Sequence, residues 1–190
     1  MREIMSRKLA KYWVSADEYE RMGAAGIFPP GARLELIEGD IYEMSPIGSP
    51  HAACVDALTF LFSEVAKRRF IVRVQNLIRL NDFSEPQPDV TLLRWREDFY
   101  RGAHPTPADV LLVVEVADAT VVTDRTIKVP LYARARIAEV WVVNVPDERV
   151  EIYTEPLGDA YQSVAQFGRG ERAQSPTVGG LSVSVDELFG

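Results

Sequence analysis

Residues 110–116 read Val110-Leu111-Leu112-Val113-Val114-Glu115-Val116. A continuous apolar run of this length, bounded by polar connections, suggests a strand buried on both faces of a sheet. Glu115 is out of place in it. A lone carboxylate is costly to bury unless it is paired, hydrogen-bonded or bound to a metal. A second apolar run, Val140 to Val145, lies downstream. Between the two, Thr123-Asp124 offers an N-cap for a helix reaching Arg136, with Pro130 inside it as a kink or a late start. Strand, helix and buried strand in succession indicate an α/β fold with a mixed central sheet.

Further strands and helices are legible on either side. Pro88 to Leu93 reads as a strand that is apolar after Asp89, a second acid in apolar surroundings. Arg73 to Leu80 alternates as a strand does. Ser49-Pro50 opens a helix to about Arg69, with Cys54, Leu58, Leu61, Phe62 and Val65 at helical spacing. Leu34 to Ile37 and Ile41 to Met44 flank Glu38-Gly39 as an N-terminal β-hairpin. Ser15-Ala16-Asp17-Glu18 is a capping box for a short helix to about Met22. Pro146-Asp147-Glu148 turns the chain into Val150 to Tyr153, and a hairpin-like tail ends at Val183 to Phe189.

The chain has 190 residues, 47% of them hydrophobic, enough to bury a core as a single domain over 1–190. Cys54 is the sole cysteine, so no intramolecular disulfide forms and a reducing compartment is expected. With Cys54, His51 and His104 alone, a Cys/His zinc site cannot be built. A metal would be held by carboxylates, which suit magnesium or manganese. No apolar stretch reaches transmembrane length. Met1 to Tyr12 is charged and lacks the apolar core of a secretory signal, so the expected location is cytoplasmic. Cys54, Tyr132 and Trp141 are expected in the core, and His104 in a solvated loop.

Net charge is −7, from 21 Lys+Arg against 28 Asp+Glu. It is unevenly spread. Lys67, Arg68, Arg69, Arg73 and Arg79 bring +5 to residues 67–79 without an acid, whereas residues 17–43 and 139–159 each carry −5. Lys67, Arg68, Arg69 and Arg73 are therefore the candidate DNA contacts, with help from Arg94, Arg96 and Arg101. The same cluster would also complement a helix C-terminus.

Two acids at neighbouring strands can converge on one divalent cation, which supports attack of water on a phosphodiester. A nearby lysine would stabilise the charge that builds in the transition state. Pro88-Asp89 followed by Glu115 after an apolar strand resembles the PD-(D/E)xK nuclease superfamily, with its restriction endonuclease-like fold. The chain resembles more narrowly the Uma-type restriction endonuclease family. The features that match are Glu35-Leu36-Ile37-Glu38-Gly39-Asp40-Ile41, Met44-Ser45-Pro46 with His51, and Gln87-Pro88-Asp89-Val90. They continue with Val113-Val114-Glu115-Val116, Asp124 with Lys128 and Tyr132, Glu139-Val140-Trp141, and Asp186-Glu187-Leu188-Phe189.

The resemblance implies Asp89 and Glu115 as metal ligands, Glu35 as a third acid, and a catalytic lysine. The superfamily places that lysine two residues after the glutamate, where this chain has Ala117; Lys128 is the replacement. Asp118 stands where relatives carry serine. His51 is a candidate for the edge of the site, and Asp124 reads as an N-cap. The activity implied is a magnesium- or manganese-dependent endonuclease acting on DNA, and a homodimer would supply two centres for two strands. The alternatives are a non-catalytic binding or scaffold module on the same fold, or a phosphoesterase for a small phosphate substrate. The non-catalytic reading is favoured if Lys128 points to solvent instead of reaching the carboxylates, and substrate screening separates the phosphoesterase.

Overall fold

The computed structural model describes residues 10–190, so the N-terminal signal reading falls outside the described residues for positions 1–9. In chain order the elements are α1 (Ala16–Ala24), the hairpin β1 (Leu34–Ile37) and β2 (Asp40–Glu43), α2 (Ser49–Ala66), β3 (Phe70–Val74), β4 (Val90–Arg94) and β5 (Val110–Ala117). An α-helical turn, α3 (Val121–Thr123), runs through a π-helical segment (Asp124–Lys128) into α4 (Val129–Arg134). Then follow β6 (Glu139–Asn144), β7 (Arg149–Leu157), β8 (Ala160–Phe167), β9 (Arg172–Gln174), β10 (Ser182–Ser184) and α5 (Val185–Phe189). Among the described residues no helix is long and apolar enough to cross a membrane.

The central sheet is six-stranded and mixed, in the order β3-β4-β5-β6-β7-β8. β5 and β6 are parallel, with the helices between them as the crossover, and every other neighbouring pair is antiparallel. The α/β class and the central sheet are as expected. β5 is buried along both faces because both are covered. Leu112, Val114 and Val116 join the core beneath α2, where Cys54, Val55, Leu58 and Phe62 pack and Phe62 meets Trp141 edge-to-face at 5.9 Å. Val113 and Ala117 face the other core, with Leu131, Tyr132 and Ala133 of α4. Glu115 shares their parity and projects toward α4.

Several boundaries differ from the sequence reading. α2 stops at Ala66, since Lys67 and Arg68 both take positive φ (34° and 67°) and reverse the chain. The strand expected over Arg73 to Leu80 is Phe70–Val74 instead, ended by Gln75 at φ 48°. Residues 78–80 turn their amides to Pro86, Pro105 and Ser84, so their alternation serves a loop. The tail contains the expected hairpin-like pairing, β9 antiparallel to β10, but its last residues form the short helix α5. β8 pairs along β7 and is legible only from that partner. His104 is half-buried, and burial lowers its pKa.

The helix between β5 and β6 begins at Val121, before the expected cap. Asp124 is therefore not an N-cap; it lies buried inside the helix and accepts from Thr120 Oγ1 at 2.6 Å. Pro130 has no amide proton, and the chain accommodates it just after a π-helical turn in which Val129 N–H donates to Asp124 O.

β1 is fixed to the strand entry by an antiparallel bridge. Glu85 N–H donates to Leu36 O at 2.8 Å and Leu36 N–H to Glu85 O at 3.2 Å. Glu85 is fully buried there, and neither carboxyl oxygen has a hydrogen-bond partner among the described residues. Burial, reinforced by Glu20, pushes its carboxyl up to about 7. In an unfolded chain it would ionise near pH ~4.3. The folded state thus holds this proton more tightly, and its contribution to stability is lost as pH rises through about 7. Urea unfolding of wild type and Glu85→Gln at pH values of about 5.5 and about 8 checks this. The wild type is expected to lose more stability over that interval than the variant; equal losses would show that Glu85 does not titrate there.

Candidate active site

The β4–β5 register pairs Val90 with Val114, so the next residues along, Asp89 and Glu115, are neighbours. Asp89 is held from three directions. Val116 N–H donates to its Oδ2 at 2.9 Å, Gln75 Nε2 to Oδ1 at 3.3 Å, and His51 Nε2 lies 3.1 Å from Oδ1. Burial opposes its charge, yet the His51 contact and the Val116 amide outweigh it and lower the Asp89 pKa. Glu115 accepts from Tyr132 Oη at 2.5 Å and from Lys128 Nζ at 3.4 Å. Its complete burial raises its pKa well above the usual range, with Lys128 acting against that rise.

Lys128 joins the strands to the hairpin. Its ammonium lies 3.2 Å from Glu35 Oε2 as well as 3.4 Å from Glu115 Oε2, and both acids are buried. Burial would discharge this lysine, but Glu115, Glu35, Asp124 and Asp89 together raise its pKa. The β1 strand delivers Glu35 because Leu36, on its opposite face, is anchored to Glu85. Glu35 Oε2 also accepts from Gln87 N–H at 3.3 Å, which links it to the Pro88-Asp89 segment.

Four buried carboxyl groups, Glu35, Asp89, Glu115 and Asp124, thus gather near one buried ammonium. They line a cavity of about 280 Å³ bounded by the β1–β2 hairpin, the 44–48 loop, the first turn of α2, the end of β5 and residues 118–128. The donor set is hard oxygen with an excess of negative charge, which fits a magnesium or manganese ion. Among the described residues no three Asp, Glu, His or Cys side chains converge as a ready-made metal cluster. Magnesium commonly takes one or two carboxylates and completes its shell with water and substrate phosphate, a demand that Asp89 and Glu115 can meet.

The Uma2 family, described as "Putative restriction endonuclease", matches residues 16–186. The chain belongs to this family. No curated protein matches it. Among solved structures it is similar to a crystal structure from Anabaena variabilis, described as "a putative nuclease belonging to DUF820". That likeness covers 93% of this chain and 97% of the other, at 17% identity and a TM-score of 0.70. At this identity it carries the fold. Uma2 membership and the nuclease-described neighbour support a nuclease-like function.

The residues expected at the Uma2 site are distributed as follows. Glu35, Asp89, Glu115 and Lys128 come together, and His51 meets them through Asp89. Tyr132, expected only in the core, is in the core and also touches Glu115; its spacing of four from Lys128 was the available signal. Asp118 lines the cavity. Lys67, Arg68 and Arg69 do not reach the site. They follow the C-terminus of α2, whose N-terminus bears His51, and 18 helical residues span about 27 Å. Arg69 bonds Gly179 O, and Arg68 lies 5.4 Å over the Trp95 ring. Arg73 is nearer, paired with Thr91 in the sheet. Arg94 and Arg96 are held locally by Ala108 O and Asp98.

Lys128→Met should leave Glu35 and Glu115 buried without their common counter-ion. Urea denaturation is expected to show a loss of about 3–5 kcal/mol. Adding Glu35→Gln to that variant should restore part of the loss. A change below about 1 kcal/mol would mean that the carboxylates find other compensation.

Proposed function

We propose that the protein is a divalent-metal-dependent endonuclease that hydrolyses DNA phosphodiester bonds with an activated water. The observation that carries this reading is the group of buried acids ordered around Lys128 at the base of an open cavity. Asp89 and Glu115 would hold the magnesium or manganese ion, with Glu35 as a third acid. The bound ion supplies Lewis-acid polarisation of the phosphoryl oxygen and a lowered pKa for water.

The chain's own residues provide the rest. His51, Gln75 and the Val116 amide orient Asp89, so its carboxylate keeps one direction and remains ionised. Tyr132 orients Glu115 by donating to Oε1, which leaves Oε2 toward Lys128. The Lys128 ammonium would stabilise the negative charge that builds on the phosphoryl group and steer the attacking water. Its burial against two carboxylates supports this reading over a scaffold in which the lysine faces solvent.

The test incubates purified protein with supercoiled and single-stranded DNA in magnesium or manganese. Wild type should cleave, and chelation should abolish cleavage. Asp89→Asn and Glu115→Gln should each lower kcat by about 100-fold or more. Circular dichroism would verify that the variants remain folded. Failure of the wild type to cleave, or cleavage indifferent to both substitutions, refutes the proposal.

A further inference from the structure

The hairpin that carries Glu35 into the acid cluster also carries an aromatic ring beside it. Glu35 and Tyr42 are cross-strand partners in β1–β2. Their side chains therefore stand on one face of the hairpin, with Cβ atoms about 5 Å apart. Glu35 is buried, Tyr42 is 45% exposed, and both line the cavity. Ile47 and Ile127, 42% and 39% exposed, line it as well. Access to the carboxylates is thus flanked by aromatic and aliphatic surface.

Cations are scarce there. Among the described residues lining the cavity, Arg33 and Lys128 are the only lysine or arginine, and Lys128 is engaged by Glu35 and Glu115. Arg33 donates to Ser45 O at 3.1 Å. The basic run Lys67–Arg69 lies about one α2 length away, ~27 Å. Lysine and arginine neutralise the backbone phosphates of paired and unpaired DNA alike, so with few cations at the cavity it is contact with the bases that can distinguish the two. A duplex keeps its base faces stacked inside, whereas an unpaired strand offers them to aromatic and apolar side chains.

We propose that the cavity takes an unpaired DNA strand, with the base beside the reacting phosphate stacked on Tyr42 and flanked by Ile47 and Ile127. The inference rests on the nuclease reading for the chemistry of the phosphate, but strand selection is a binding property and is measured separately. Tyr42 is the specificity-determining residue in this arrangement. Its ring, not its hydroxyl, makes the contact.

Fluorescence anisotropy with calcium in place of magnesium tests this, using three labelled oligonucleotides of related sequence. They are a single strand, the fully paired duplex, and a duplex with one unpaired nucleotide. The single strand and the bulged duplex are expected to bind at least about tenfold more tightly than the paired duplex. Tyr42→Ala should weaken single-strand binding about tenfold, and Tyr42→Phe should retain it. Tyr42 lies at the surface, 45% exposed, so circular dichroism should show both variants folded. Equal or tighter binding of the paired duplex overturns the inference, as does a Tyr42→Ala variant that binds like wild type, or no binding to any of the three. Parallel cleavage assays in magnesium separate the two ideas. Strand-selective binding without cleavage counts against the nuclease reading alone. Cleavage with equal affinity for paired and unpaired DNA counts against the present inference alone.

Discussion

The contact of one buried ammonium with two buried carboxylates organises the molecule. Lys128 touches Glu35 from the N-terminal hairpin and Glu115 from the central sheet, so it joins parts of the chain that share no strand pairing. Each of these groups would be expensive to bury alone. Together they are tolerated, and the acids outnumber the ammonium, a balance that would suit a hard cation. Tyr132, Gln75, His51 and the amides of Gln87 and Val116 then direct the carboxylate oxygens. The site is ordered by hydrogen bonds as much as by charge.

The backbone that supports Lys128 is unusual in a way that serves this contact. In the nuclease superfamily that the motifs resemble, the lysine sits two residues beyond the glutamate, on the same strand; this chain has the small Ala117 there, sealed in the core. Lys128 reaches the same region from the crossover helix. A π-helical segment lies over this stretch, and Asp124 and Lys128, four residues apart in it, are both buried. Pro130 is compatible with that geometry because the position it occupies in the following turn does not need an amide donor. The crossover that makes β5 and β6 parallel therefore also carries the cation.

Much of this was legible in the residues. The apolar runs at 110–116 and 140–145 marked the two central strands, and Asp89 and Glu115 were conspicuous because acids in such runs need partners. The capping box at Ser15 and Glu18 and the Glu38-Gly39 turn, with φ of 49° and 78°, were local signals read correctly. Reading failed where long-range pairing overrides local pattern. Arg73 to Leu80 alternates convincingly, yet the positive φ at Lys67, Arg68 and Gln75 sets the strand five residues long and three residues earlier. Thr123-Asp124 has the composition of a cap, yet the helix begins earlier and takes Asp124 inside, beside Lys128. The basic run was visible as a charge cluster, but its position relative to the acids depended on which end of α2 faces the site.

Composition, periodicity and turn chemistry by themselves determined the α/β class, the hairpin, the strands at 110–116 and 140–145, and Asp89 and Glu115 as acids in apolar runs; Glu35 and Lys128 followed from the family resemblance. The former are short-range properties, set by side-chain burial and backbone preference within a few residues. Tertiary structure alone decided that Lys128 sits between Glu35 and Glu115, that Tyr132 and His51 hold the acids, and that Lys67, Arg68 and Arg69 lie a helix length from the cavity. These depend on strand register, helix phase and chain reversal summed over many residues, so no local window of sequence contains them.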